Sequence, residues 1–236
     1  MAYDSASYMK DPELKAGLDA LTAFDFEGAF EHFSASAADG NPEAQVRLAK
    51  LYFSGKGFAA SRPEALKFFM KAARQGNPSA MNEVALMFYA GNGVQRSVDK
   101  AFEWFEASAS AGYPEGIYNY GCMFEKGEGT SVDYPRACAL YEKASALGVH
   151  KATFCLAHMY HNGYGVDKDL KKAADLCKQA ADAGVGEAVA DMGIIYLDGD
   201  GVPQDLDRAL EYFQKARNMG VPSVEGYIDL VHEKMA

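Results

Sequence analysis

The sequence predicts an all-α fold of antiparallel helix pairs repeated along a single array. Three observations predict it. A glycine recurs at Gly40, Gly76, Gly112, Gly148, Gly184 and Gly220, always 36 residues apart. A Gly-x-Gly motif keeps the same step: Gly55/Gly57, Gly91/Gly93, Gly127/Gly129, Gly163/Gly165 and Gly199/Gly201. Between these marks, small and apolar residues fall at helical spacing. A fixed period of this length marks units that stack and bury a shared core.

The chain is read as one array over 1–236, in three parts. Residues 12–40 form a shorter helix pair that lacks Gly-x-Gly and caps the first full unit. Residues 41–220 hold five 36-residue repeats. Residues 221–236 begin one more first helix, which closes the last core layer with Ile228 and Val231 and turns Asp229, Glu233 and Lys234 to water.

Within each full unit, the first helix carries a small residue at Ala44, Ala80, Gly116, Ala152 and Ala188. Four residues on comes a larger apolar one: Leu48, Val84, Tyr120, Leu156, Met192. An aromatic follows four later at Tyr52, Phe88, Phe124, Tyr160 and Tyr196. Steps of four lie on one helix face. Pro42, Pro78, Pro114 and Pro222 stand at first-helix starts, where a missing N–H costs nothing. Gly-x-Gly then ends the helix. A phosphate loop is the sharper reading of those glycines, but no Lys-Ser/Thr follows and no strand precedes them.

The second helix repeats Ala65, Ala101, Ala137, Ala173 and Ala209, followed four later by Phe69, Phe105, Tyr141, Cys177 and Phe213. Pro63 and Pro135 sit near its start, and Asp167/Asp169 and Asp205/Asp207 precede it. Carboxylates there cap the helix and suit its dipole, which accounts for them without catalysis. One helix pair alone could not bury its stripe; stacked pairs can.

Composition narrows the function. The chain has 236 residues, 49% hydrophobic and 24% charged, with net charge −10. An acidic chain without a basic stripe is a poor partner for nucleic acid. A basic or amphipathic polypeptide suits it better. No run of 18 apolar residues occurs, so no membrane span is expected. The opening residues carry no basic-then-apolar leader, which points to a cytoplasmic protein. Cys122, Cys138, Cys155 and Cys177 lack C-x-x-C spacing and read as packed thiols.

The columns resemble the Sel-one-like repeat (SLR) family, relatives of the tetratricopeptide repeats. The first half matches small-x-x-x-Leu-Gly-x-x-Tyr-x-x-Gly-x-Gly-Val, and the second matches Lys-Ala-x-x-Trp-Tyr-x-Lys-Ala-Ala-x-x-Gly. The second repeat, with Trp104 and Phe105 in the aromatic column, matches nearly throughout. Phe58 and Thr130 depart from the Val after the turn, and Cys177 departs from an aromatic, which weakens packing locally. The resemblance implies a right-handed superhelical solenoid whose first helices line a concave surface. It also implies roles in assembling complexes, in bacterial signalling, in secretion or in host interaction.

Carried over from tetratricopeptide geometry, the sixth column of that surface is Val46, Asn82, Tyr118, Phe154 and Ala190. The tenth is Lys50, Leu86, Cys122, His158 and Ile194, and the thirteenth is Phe53, Tyr89, Glu125, His161 and Leu197. These columns lie outside the core stripe yet are rich in apolar residues, so they are expected to bind. The expected groove comprises Lys50, Phe53, Leu86, Tyr89, Tyr118, Phe154, His158 and His161, with Glu115, Glu125 and Lys126 on its rim.

His158 and His161 share a helix face, and Cys122 occupies the equivalent column one unit earlier. Zinc or copper would accept such donors, but no fourth ligand accompanies them, so no metal or cofactor is expected. No Gly-x-Ser-x-Gly elbow appears either. The expectation is therefore a non-enzymatic scaffold or adaptor gripping a polypeptide on its concave side. The alternatives are a dedicated inhibitor (an immunity protein) or chaperone of one toxin or effector and, more remotely, a weak hydrolase.

Overall fold

The computed structural model describes residues 3, 5–56, 59–222 and 224–236. Gly57 and Phe58, the latter one of the departures after the turn, lie outside the described residues. Among the described residues every regular element is an α-helix. A short α1 (Ser5–Tyr8) precedes the cap pair α2 (Pro12–Thr22) and α3 (Phe26–Ala38). The five repeats follow as α4 (Pro42–Ser54) with α5 (Arg62–Arg74), α6 (Pro78–Ala90) with α7 (Val98–Ser110), α8 (Pro114–Lys126) with α9 (Tyr134–Ala146), α10 (His150–Asn162) with α11 (Leu170–Asp182), and α12 (Gly186–Asp198) with α13 (Leu206–Asn218). The last helix is α14 (Glu225–Met235).

The chain divides into two compact units, Met1–Tyr120 with Glu128–Thr130, and Gly121–Gly127 with Ser131–Ala236. In the first, α2 packs on α3, α3 on α4, α4 on α5, α5 on α6, and α6 on α7. Leu14, Phe33, Leu48 and Leu51 form the core at its N-terminal end. In the second, α9 packs on α10, α10 on α11, α11 on α12, α12 on α13, and α13 on α14. Its core holds Val189, Met192, Phe213, Ile228 and Val231.

Capping follows the sequence. Asn41 and Asn77 cap α4 and α6 through their side chains, and Pro42 and Pro78 open those helices. Asp169 Oδ1 accepts from the Lys172 amide at 2.9 Å, and Asp205 Oδ1 from the Arg208 amide at 3.0 Å. Pro222 differs from its expected place: it lies in a turn ahead of α14, which starts at Glu225 without a side-chain cap.

The two glycines of the fourth repeat's motif do different work. Gly163 takes a left-handed conformation (φ 74°), and its amide bonds the Met159 carbonyl to end α10. Gly165 (φ 72°) reaches the preceding repeat: a Cβ there would stand 2.4 Å from the Tyr134 carbonyl carbon at the start of α9. The first glycine therefore stops a helix, and the second lets neighbouring repeats touch.

Facing small and large columns set the spacing inside a repeat. Phe213 is fully buried, and its ring comes within 2.6 Å of where a Cβ on Gly193 would stand. The corresponding approach of Tyr141 to Gly121 is 2.9 Å. In the fourth repeat the large member is absent, because Cys177 stands in that column; it shares a core cluster with Ala157.

Candidate functional site

A cleft of about 330 Å³ opens in the second unit, in the repeat that lacks the aromatic. Ala157, Ala173 and Cys177 line it where a ring would otherwise stand. Phe154, His158 and His161 come to it from α10, Asp191, Ile194 and Ile195 from α12, and Asp200 from the turn after α12. Helical spacing explains the first set: positions 154, 158 and 161 fall on one face.

Two histidine–aspartate contacts bridge consecutive repeats. His158 Nε2 lies 3.0 Å from Asp191 Oδ2, and His161 Nδ1 lies 3.9 Å from Asp200 Oδ2. The Phe154 ring meets His158 edge-on, at 4.5 Å and 87°. The hydrogen bond to Asp191 raises the His158 pKa above its ordinary value; burial opposes it, and the charges of Asp191 and Glu125 add to the rise. Burial pushes the Cys177 thiol up to about 12, helped by Asp191, so it stays protonated. Its Sγ donates to the Ala188 carbonyl at 3.4 Å.

The first unit repeats the second of these contacts with other residues. Tyr89 donates its hydroxyl to Glu128 at 2.8 Å. Tyr89 and His161 share the thirteenth column, while Glu128 and Asp200 both stand between the glycines of the next motif. The tenth column behaves similarly: Lys50 counters the burial that raises the Glu83 pKa, and Glu83 stands in the column of Asp191.

The structure thus gathers Phe154, His158 and His161 into one cleft. Phe53 and Leu86 are exposed at 39% and 38%, and the Arg62 guanidinium lies 5.8 Å from the Phe53 ring. Lys50, Glu115 and Lys126 are exposed, and Tyr118 is half-buried. Glu125 accepts a hydrogen bond from Tyr141, whose hydroxyl also lies 3.3 Å from Cys122 Sγ. Three members of the expected surface columns are buried instead: Val46 and Leu197 at 3% and Asn82 at 5%. Asn82 accepts from Asn119 at 2.8 Å, so neighbouring residues cover it.

Sequence reasoning missed Asp191 and Asp200. The signal was present in the period itself: each stands one repeat beyond a histidine, in a column that faces it. Among the described residues no group of three or more His, Cys, Asp or Glu is placed to hold a metal ion. None of the described helices is long and apolar enough to cross a membrane.

The Sel1 repeat family model matches five consecutive segments, 42–77, 78–113, 114–149, 150–185 and 186–221. The chain belongs to the Sel1 repeat family. A Sel1 repeat protein from Oxalobacter formigenes is 27% identical, with TM-score 0.87 over 92% of this chain and 87% of that one. The protective antigen c5321 of uropathogenic Escherichia coli, which displays an SLR fold, is 27% identical with TM-score 0.83, over 95% of this chain and 49% of its own. The immunity protein PA5088 of Pseudomonas aeruginosa shares the fold, with TM-score 0.57 and 18% identity over 99% of this chain and 87% of its own. No curated protein sequence matches this one. Sel1 repeats generally mediate protein–protein interaction, and this chain has their all-α fold of consecutive packed helix pairs.

Proposed function

We propose that this Sel1 repeat protein is a non-catalytic adaptor that grips a basic or amphipathic segment of another polypeptide through the inner columns of its first helices. The cleft around Phe154 carries this reading. It joins an aromatic and two isoleucines to a polar mouth, the mixture expected of a binding pocket. In the first unit, Phe53 and Leu86 are exposed apolar members of the equivalent columns. In bacterial signalling, secretion or host interaction such a protein assembles complexes.

Affinity capture followed by mass spectrometry, comparing wild type with Tyr89→Ala and Phe154→Ala, tests this. Loss of a hot-spot aromatic is expected to cost about 2 kcal/mol of binding. Partners retained equally by well-folded variants would refute it.

The net charge of −10 favours a second reading, a dedicated inhibitor or chaperone of one basic toxin or effector. The immunity protein PA5088 has the same fold, although at 18% identity that likeness concerns the fold alone. Capture of a single stoichiometric client, rather than several, would separate this reading from a general adaptor.

A further inference from the structure

The cleft has an unusual origin. Sequence opens it by placing Cys177 where the other four full repeats carry Phe69, Phe105, Tyr141 and Phe213. The space is apolar along Phe154, Ile194 and Ile195 and acidic at Asp191 and Asp200. Both carboxylates remain partly open to solvent, their side chains 30% and 39% exposed. Its volume of about 330 Å³ suits one long side chain.

We propose that this cleft receives the guanidinium of an arginine carried by the partner polypeptide, with Asp191 and Asp200 as its acceptors. The inference rests on the polypeptide-binding reading above and names the chemistry recognised. Two carboxylates repel an acidic group and leave a neutral amide with nothing to balance their charge. Arginine presents five donors in a rigid fork that fits carboxylates, on an apolar stem that packs along isoleucine. Its weak hydration and planar face suit the Phe154 ring better than an ammonium does. A carboxylate held by one imidazole still has acceptor positions to offer.

The same geometry makes binding depend on pH. His158 faces Asp191 from α12, Glu125 from α8 and Cys177 from α11, with His161 on its own helix and Asp200 at the mouth. Of these, Asp191 and Glu125 favour the imidazolium, and Cys177 is neutral. As pH falls through the raised His158 pKa, the imidazolium takes up Asp191 and repels the incoming cation. Arginine binding therefore strengthens as pH rises from 6 to 8.5.

The full chain, labelled at its isoleucine methyls, is titrated with the blocked peptide acetyl-Leu-Arg-Leu-amide and with its citrulline counterpart. The two have nearly the same shape and differ in charge. At pH 8.5 the arginine peptide is expected to shift the Ile194 and Ile195 signals, with the citrulline peptide roughly five-fold weaker or worse. Asp191→Asn and Asp200→Asn should each weaken the arginine peptide by a similar factor. Equal binding of the two peptides to wild type, or no shift of either isoleucine at millimolar arginine peptide, overturns the proposal without any variant having to fold. If Tyr89→Ala and Phe154→Ala abolish partner capture while both asparagine variants retain it, the arginine site falls and the adaptor reading stands.

Discussion

His158 Nε2 and Asp191 Oδ2 stand 3.0 Å apart and tie α10 to α12, so one proton links two consecutive repeats. Unfolded, the imidazole titrates near its ordinary value of about 6.5. Folding raises that value through the Asp191 hydrogen bond. A raised histidine pKa stabilises the fold fully below the unfolded value, and the gain disappears as pH rises through the folded one. His158→Gln should therefore lose stability at pH 5.5 and little at pH 8.5. The side chain is 47% exposed, so solvent screening limits the difference to about 0.5 kcal/mol. Urea denaturation of both proteins at the two pH values measures it.

Restoring a ring at the fourth repeat should close the cleft. Cys177→Phe is expected to raise the melting temperature and to abolish peptide-induced shifts at Ile194 and Ile195. If the pocket fits the ring without strain, the added burial contributes about 1–2 kcal/mol. Unchanged peptide binding in a stabilised variant would show that the binding surface lies elsewhere.

Gly165 offers a sharper test of stacking. Alanine there meets the Tyr134 carbonyl carbon at 2.4 Å and also keeps a positive φ of 72°. Backbone cannot retreat as a side chain can. The expected loss is about 3 kcal/mol, conformational cost and overpacking together. Alanine at Gly163, whose φ is 74° and whose nearest neighbour is a side-chain carbon at 3.4 Å, should lose only the conformational part, about 1 kcal/mol. Thermal denaturation of the two variants compares them, and equal losses would contradict the inter-repeat role.

The cap pair turns without a glycine. Phe24 takes a left-handed conformation (φ 60°) between α2 and α3, and the residue is 79% exposed. A bulky residue is strained there and this one gains little from packing. Phe24→Gly is expected to stabilise the chain by about 0.5–1 kcal/mol in chemical denaturation, since relief of the left-handed penalty outweighs the entropy glycine adds to the unfolded state.

Sequence made the helices legible because their signals are local. Prolines at first-helix starts and capping aspartates act within one repeat, and Asp169 and Asp205 cap as read. What it hid depends on neighbours. Val46 and Leu197 looked like surface members of their columns, but packing buries both. Asp200 carries no signal within its own repeat; it is the residue that His161 meets one repeat later. Cys177 read as a local weakness in packing, whereas the space it leaves is the pocket itself.

The approach of Gly165 to Tyr134 also limits how such a chain can change in length. A helix start must meet a glycine 31 positions further on, with no room for a side chain between them. Duplicating or excising a complete 36-residue module preserves that appointment at every junction. Inserting a single residue between the two partners breaks it, so genes of this kind are expected to grow and shrink by whole modules.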